Sequence, residues 1–399
     1  MKVAFFFPSQ TVGGTELISF RLAREFYRRG AEILIVDYPE GYLPQTLKKS
    51  GIAYIHVHWP LEKAIKKVNL LKKGDILFMY HFHIPLLPVL SHLGDPTVLI
   101  CEMQKDIWYR LQAIMRHPLL RYISNIWKIP YQGLVTRRAL CVLEADSLSE
   151  IQKCGIFGID ERQILPIPMD GIPESPRLLP PSGPPHYCSI GWDHPRKILP
   201  AGWAFSKILA QHSSSASFSY ICRDPNRSRS IFAEHYPDIL PRLHVFQAEG
   251  SSLTAYLQEK VCVYLGMGTS VLDAGKIGVP ALILYSTTTN RYPNTALVRF
   301  LHTNNLENLG CPKPDLQNGV GLIQALQTIE AHYEEYARLS WSYVRTHHSV
   351  DSCVRKLMHL GFDCHFSLSR WRDVPGLRTL VTLIRIKACI KSMLSDRSK

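Results

Sequence analysis

The amino-acid sequence predicts an α/β protein with two doubly wound domains, each a parallel sheet covered by helices. The chain has 399 residues, which is too long for one ordinary hydrophobic core. Two successive series of short apolar runs alternate with helical patterns, and a proline-dense stretch separates them. With 46% hydrophobic and 20% charged residues the composition is that of a folded protein, which excludes a disordered or fibrous chain.

The first domain opens with a strand, a glycine loop and a helix. Residues 3–7 form an apolar run, and a polar loop containing Gly13 and Gly14 follows it. Over residues 15–29 the apolar positions recur on one side at helical spacing, and Gly30 ends the pattern. Further strand-like runs lie at residues 32–37, 54–57, 76–80, 97–101 and 139–143. The first of these completes a βαβ unit at the start of the chain.

The second domain repeats this order. Eight prolines lie between residues 166 and 185, a density that excludes regular structure and predicts an interdomain linker. Strand-like runs then lie at residues 187–191, 218–222, 243–246, 261–265 and 281–285. Residues 320–360 have helical patterns throughout. We therefore predict domains at residues 1–178 and 186–365, followed by a basic tail at residues 366–399.

The net charge of +13 is concentrated in two segments. Residues 104–138 hold seven basic residues against one acid, and residues 366–399 hold eight against two, so each segment carries +6. In the first segment the charges are interleaved with Trp and Tyr, which suits an anionic membrane surface or a nucleic acid. A solvated face beside ordinary core aromatics is the alternative interpretation.

Neither the cysteines nor the apolar stretches indicate export or a membrane span. The ten cysteines are scattered without a C-x-x-C pair, which is typical of reduced thiols. The amino-terminal apolar run is too short for a signal peptide, and the uncharged residues 76–94 contain His and Pro. We expect a cytoplasmic protein, or one that is peripheral on the inner face of the plasma membrane.

The segment at residues 265–280 carries the most specific chemistry. It follows a strand and opens a helix, and Gly266 and Gly268 let backbone N–H groups approach a ligand closely. The helix dipole favours a phosphate or a polar sugar there. Asp273, about one turn into the helix, can accept hydrogen bonds from two ribose hydroxyls. The alternative is a βαβ turn whose glycines only permit tight packing.

This segment resembles the nucleotide-sugar signature of GT-B glycosyltransferases similar to glycosyltransferase family 4, of the bacterial surface-polysaccharide or lipopolysaccharide type. In that signature a Glu, a glycine-rich stretch and a second Glu eight positions on precede Ala and Gly-x-Pro. Asp273 falls at the second acidic position, whereas Leu265 replaces the first acid. The resemblance implies that Asp273 holds the donor ribose. It further implies that the donor's sugar or diphosphate faces the backbone amides of Met267, Gly268, Thr269 and Ser270.

Other segments resemble the family in the same order along the chain. Gly13 and Gly14, with the Thr-Glu that follows, resemble the loop after the family's first strand. The resemblance implies that their backbone amides face the donor diphosphate or the acceptor. Residues 189–197 resemble the opening strand of the family's second domain. Lys197 keeps the family's Lys there, and Trp192 occupies the position of its Arg. We take Arg196 as the candidate to replace that charge. Residues 155–172 resemble the stretch that closes the family's first domain.

Transfer from a nucleotide sugar requires that charge on the departing diphosphate be stabilised by a metal or by fixed cations. The sequence has no Asp-x-Asp motif and no ligand cluster, so we predict no metal and no cofactor, with Lys197 and Arg196 as the fixed cations. His81 is the first candidate, and His83 the second, for the family's histidine that contacts the transferred sugar. For either histidine a structural role is the alternative.

The resemblance implies two Rossmann-like domains that face a central cleft. It also implies retaining transfer of a sugar from a nucleotide-sugar donor to a glycan or lipid-linked acceptor in polysaccharide biosynthesis. We expect an anionic membrane surface as a partner through residues 104–138, and no nucleic acid. A catalytically inactive sugar-nucleotide-binding protein, a nucleic-acid-binding protein and a sugar-nucleotide epimerase are the alternatives.

Overall fold

The computed structural model describes residues 1–10, 13–61, 69–102, 121–286, 296–310 and 319–383. The chain divides into two compact units. One unit contains Met1–Pro168 and the residues from Val350 onward, and the other contains Met169–Ser349.

The first unit is built on a six-stranded parallel sheet. Its strands are β1 (Lys2–Phe6), β2 (Glu32–Asp37), β3 (Tyr54–His58), β4 (Ile76–Tyr80), β5 (Thr97–Glu102) and β6 (Leu140–Val142). The strand order is β3-β2-β1-β4-β5-β6. The longer helices are Gly14–Arg28, Tyr42–Lys49, Arg121–Thr136, Ala145–Lys153 and Val350–Asp363, and shorter helices lie at His81–Leu86 and Leu368–Asp373. Strand β4 is buried along its whole length, as expected for a parallel sheet with helices on both faces.

The second unit repeats this arrangement and extends it. Its strands are β7 (His186–Ile190), β8 (Ser217–Ile221), β9 (Leu243–Phe246), β10 (Val263–Gly266), β11 (Ala281–Ile283), β12 (Leu297–Phe300) and β13 (Val320–Gly321). Their order is β13-β12-β11-β10-β7-β8-β9, and β7 to β11 are parallel. The main helices are Pro195–Gln211, Pro225–His235, Gly250–Lys260, Ser270–Gly275, Leu322–Ala331 and Tyr333–Tyr343.

The predicted two-domain α/β class is confirmed, but the predicted boundaries need correction. The second unit begins at Met169, inside the proline-dense stretch predicted as a linker, because that stretch packs along the unit. The guanidinium of Arg177 donates a hydrogen bond of 2.6 Å to the Val261 carbonyl. Residues 350–365, predicted in the second domain, belong to the first unit. The helix Val350–Asp363 packs there on the helix Gly14–Arg28 and on β5.

Two further expectations differ from the structure. The beginning of the segment predicted as helical, Val320–Gly321, is a strand that pairs antiparallel with β12. The tail is not separate as far as it is described: Val98 donates a backbone hydrogen bond of 2.8 Å to Phe366, and Trp371 is buried. Among the described helices none combines the length and apolar character needed to cross a bilayer.

Candidate functional site

The predicted site residues follow the carboxyl ends of four strands, and these strands form one neighbouring pair in each sheet. In the first unit β1 and β4 are neighbours, and in the second unit β7 and β10 are neighbours. At each position the strand order reverses direction, and such switch points bind ligands beyond the carboxyl ends of the strands. Gly13 and His81 therefore share one switch point. Lys197 and the turn after Gly266 share the other.

In the second unit, the turn after β10 depends on its glycines. Gly268 has φ of +76°, a left-handed conformation that glycine adopts without strain. A Cβ atom at this position would lie 3.3 Å from the Lys197 ammonium. The Gly268 carbonyl accepts a 3.2 Å hydrogen bond from the Val271 amide, which leads the chain into the helix Ser270–Gly275. Gly268 thus makes the turn and leaves room for the lysine.

The structure brings Lys197 to this turn. Lys197 lies in the first turn of the helix Pro195–Gln211, and its ammonium donates a 3.2 Å hydrogen bond to the Met267 carbonyl. The helix begins after His194, whose Nδ1 accepts a 3.2 Å hydrogen bond from the Arg196 amide. The side chain of Arg196 is exposed, whereas Lys197 is half-buried. The two cations predicted together therefore have different environments.

Asp273 has a partner that sequence reasoning missed. Its Oδ1 lies 2.9 Å from the ammonium of Lys276, three positions later on the same turn of chain. The Lys276 side chain is 11% exposed and that of Asp273 is 28% exposed, so the ion pair is partly shielded from water. The spacing of three residues between an acid and a Lys was the signal in the sequence. Lys276 holds the carboxylate that we predict to bind ribose.

The two positions that depart from the family signature lie in opposite environments. Leu265 is fully buried in the apolar core of the second unit. A carboxylate at that position would lose its hydration without a charged partner, so the position suits an apolar side chain. Trp192 is 78% exposed, and its carbonyl accepts a 3.0 Å hydrogen bond from the Tyr220 hydroxyl. The Trp192 backbone is anchored although its side chain faces solvent.

In the first unit, Gly13 precedes a helix whose first turn contains a buried acid, Glu16. The Glu16 carboxylate accepts a 2.6 Å hydrogen bond from the Ser9 hydroxyl. A Cβ atom at Gly13 would approach Glu16 Oε2 to 2.9 Å, so this glycine leaves room for the carboxylate. Gly14 is the exposed first residue of the helix Gly14–Arg28. A structural acid in the first turn of the helix therefore anchors the loop through Ser9.

Besides Glu16, Asp37 is buried in the first unit, and sequence reasoning missed it. It ends β2, and its Oδ1 accepts hydrogen bonds of 2.9 Å from the Ser9 amide and 2.7 Å from the Tyr38 amide. Burial raises the pKa of Asp37 to about 6, with a smaller contribution from Glu16 that also raises it. An acid at the end of the strand after a glycine loop was the available signal.

His81 and His83 lie just beyond β4. Burial is the main cause that lowers the pKa of each imidazole to about 4, so both are neutral at pH 7. The His83 ring packs edge-on against Phe6 and Phe7, with centroids 4.9 and 5.7 Å apart. His81 is 6% exposed, and among the described residues its Nδ1 has no hydrogen-bond partner. A neutral His81 can offer a hydrogen bond but no positive charge.

The two basic segments meet in the first unit as far as they are described. The guanidinium of Arg137 donates a 3.0 Å hydrogen bond to the carbonyl of Asp373. A Cβ atom at Gly376 would lie 3.2 Å from the Ile129 side chain. Residues 103–120 and 384–399 lie outside the described residues. In the described part of the tail three arginines are exposed: Arg370, Arg372 and Arg378.

The described ranges contain no group of three or more His, Cys, Asp or Glu residues that could hold a metal ion. This finding does not test the predicted independence from metal, which stays a prediction.

No family model matches the sequence, and no curated protein matches it significantly. Solved structures do match. A glycosyltransferase from Rickettsia africae ESF-5 is 13% identical, covers 90% of this chain and 97% of its own, and superposes with a TM-score of 0.51. Anabaena Alr3699/HepE in complex with UDP and glucose is 11% identical over 90% of this chain and 98% of its own, with a TM-score of 0.47. The lipopolysaccharide outer core galactosyltransferase WaaB is 11% identical over 91% of this chain and 99% of its own, with a TM-score of 0.48. The strand orders and the Rickettsia structure together show the predicted GT-B fold of two Rossmann-like domains.

Proposed function

We propose that this protein is a glycosyltransferase that uses a nucleotide-sugar donor. The observation that carries the proposal is the position of the Lys197 ammonium beside the Met267–Gly268 turn, at the switch point of the second sheet. When a nucleoside diphosphate leaves, negative charge grows on its oxygens, and a fixed cation at that place stabilises it. The fold, shared with the Rickettsia glycosyltransferase, supports this assignment.

In this proposal each predicted residue has one task. The backbone amides from Met267 to Ser270 bind the donor's sugar or diphosphate, and Asp273 accepts hydrogen bonds from the ribose hydroxyls. Lys197 neutralises the departing diphosphate, so the transfer needs no metal or other cofactor. Retention of configuration is what the resemblance to the family implies. Arg196, which is exposed, contributes long-range attraction to the anionic donor.

The acceptor is a glycan or a lipid-linked glycan that binds at Gly13, Gly14 and His81. Sugar hydroxyls are neutral hydrogen-bonding groups, and the neutral imidazole of His81 matches them. The basic segment at residues 104–138 brings the enzyme to an anionic membrane surface on the cytoplasmic side.

Thermal shift against UDP-, GDP-, ADP- and CMP-sugars tests the donor, because a ligand of the folded state raises the melting temperature. The donor that stabilises the protein is then incubated with lipid-linked and soluble glycans, with and without EDTA. We expect transfer in EDTA. Activity lost in EDTA and restored by Mg²⁺ or Mn²⁺ would contradict metal independence, and stabilisation by none of the donors would contradict the proposal.

A catalytically inactive sugar-nucleotide-binding protein is the second candidate. The burial of Leu265 favours it, because the first acid of the signature has no counterpart at that position. Donor binding without transfer to any glycan would support this candidate. A changed sugar in the absence of an acceptor would indicate an epimerase instead.

A further inference from the structure

The hydroxyl of Tyr264 contacts both chain segments that lead into the proposed donor site, at Ile190 and at Ser270. Tyr264 belongs to β10 and is fully buried. Its hydroxyl donates a 2.7 Å hydrogen bond to Ser270 Oγ and accepts one of 3.1 Å from the Ile190 amide. Ile190 ends β7, and Ser270 begins the helix after the Met267–Gly268 turn. One buried hydroxyl therefore joins the two chain segments that carry the site.

Ser270 extends this network to Lys197. Ser270 Oγ lies 3.1 Å from the Met267 carbonyl and can donate to it. The same carbonyl accepts the 3.2 Å hydrogen bond from the Lys197 ammonium, which its two lone pairs allow. The hydrogen bonds thus run from Tyr264 through Ser270 to Met267, where Lys197 is held.

The ring of Tyr264 occupies space that Gly266 leaves open. A Cβ atom at Gly266 would lie 2.5 Å from the Tyr264 hydroxyl and 2.7 Å from its ring. The ring and the glycine thus fit together, which leaves the hydroxyl little freedom to move. Burial also raises the pKa of Tyr264 well above its ordinary value, so the hydroxyl keeps the proton that it donates.

We propose that Tyr264 is a positioning residue: its hydroxyl, through Ser270, fixes the Met267 carbonyl that holds Lys197 in place for the diphosphate. The inference rests on the proposed function, because it assumes that Lys197 contacts the diphosphate. It adds that the cation's position depends on a side chain of the sheet that touches no substrate.

The experiment is a double-mutant cycle read by calorimetric titration with UDP, GDP and ADP, the products that carry the full diphosphate charge. Tyr264→Phe removes the hydroxyl without leaving a large cavity. We expect it to weaken binding of the best diphosphate about 10-fold, and Lys197→Ala to weaken it at least as much. In the Lys197→Ala background, Tyr264→Phe should cause no further loss, because it acts through the lysine.

Tyr343→Phe is the matched control. Tyr343 is also buried in the second unit, and its hydroxyl accepts a 3.2 Å hydrogen bond from the Leu306 amide. We expect this variant to lose stability as Tyr264→Phe does, but to keep the parent's affinity for diphosphates. If Tyr264→Phe does not fold, Ser270→Ala interrupts the same network from the turn and replaces it in the cycle.

The outcomes separate the two proposals. If Lys197→Ala binds every diphosphate like the parent, the proposed donor site is wrong. If Lys197→Ala is impaired while Tyr264→Phe and Ser270→Ala bind like the parent, only the positioning role is wrong. Losses that multiply in the double variant would also overturn that role, because the tyrosine would then act independently of the lysine.

Discussion

The ammonium nitrogen of Lys197 lies 3.2 Å from the carbonyl oxygen of Met267, although the two residues are 70 positions apart in the chain. The pairing of β7 with β10 creates this contact, because Lys197 follows one strand and Met267 follows the other. The carbonyl group of Met267 is neutral, so it positions the ammonium group without itself placing a negative charge beside it. The first prediction below depends on this contact.

Lys197→Ala should lower turnover by about 100-fold or more, on the scale seen when one electrostatic stabiliser is removed. Arg196→Ala is the control, since it removes an exposed cation at the neighbouring position. We expect it to lower turnover by less than about 5-fold, because exposed charges are screened. Initial rates with saturating donor measure both effects. Equal losses in the two variants would show that the contact of Lys197 with Met267 gives it no larger role in turnover than Arg196 has.

Asp273→Ala should weaken donor binding about 10-fold while kcat stays within a factor of about three, because ribose contacts are equal in the ground and transition states. Donor titrations of KM and kcat provide the measurement. The control is Asp238→Ala, which removes an exposed carboxylate of the same unit that binds the Ser206 hydroxyl at 2.7 Å. A lower kcat with unchanged KM would assign Asp273 to the chemical step instead.

Asp37 should make the first unit less stable as the pH rises. Its pKa is raised from 3.8 to about 6, so between these values the folded state binds more protons than the unfolded state. Stability therefore falls with rising pH across this window, by about 3 kcal/mol in total. Asp37→Asn cannot ionise and should lack this loss. The free energy of unfolding of this variant, measured with urea at pH 4 and pH 7, should rise relative to the parent's by about 2 kcal/mol, because part of the loss already occurs below pH 4. A difference between variant and parent that does not change with pH would argue against the raised pKa of Asp37.

Both basic segments should contribute to binding of anionic vesicles at low salt. Replacing Lys105, Arg110, Arg116 and Arg121 by Ser should weaken binding to phosphatidylglycerol vesicles at least 10-fold, since each basic residue near the surface contributes about 1 kcal/mol. Flotation measures the bound fraction. Replacing the exposed arginines of the adjacent tail should also weaken it: Arg370, Arg372 and Arg378.

The control for this experiment replaces three exposed cations of the second unit by Ser: Arg229, Lys260 and Arg338. Binding should then remain close to that of the parent. If the control loses as much as the other variants, net charge rather than a local surface explains the binding. If the parent binds RNA with an affinity that falls as the salt concentration rises, and does not bind vesicles, the nucleic-acid alternative is favoured.

The sequence by itself determined the local elements. The strand, glycine loop and helix at the amino terminus were predicted within one or two residues, because the burial pattern and Gly30 act over a few positions. The glycines at 266 and 268 and the acid at 273 were recognised as candidates for the same reason. Their signature lies within residues 265–280, so no knowledge of strand order was needed to recognise it.

The tertiary structure decided which of these elements meet. Neighbouring strands in a parallel sheet are joined by long crossovers, so the pairing of β7 with β10 leaves no mark in either strand's own sequence. The same limit hid the burial of Asp37 and the return of the helix Val350–Asp363 to the first unit. Hydrophobic periodicity shows that a face is buried but not which partner covers it, because apolar burial is non-directional. Lys197 was therefore predictable as a candidate, whereas its contact with Met267 and its support by Tyr264 were not.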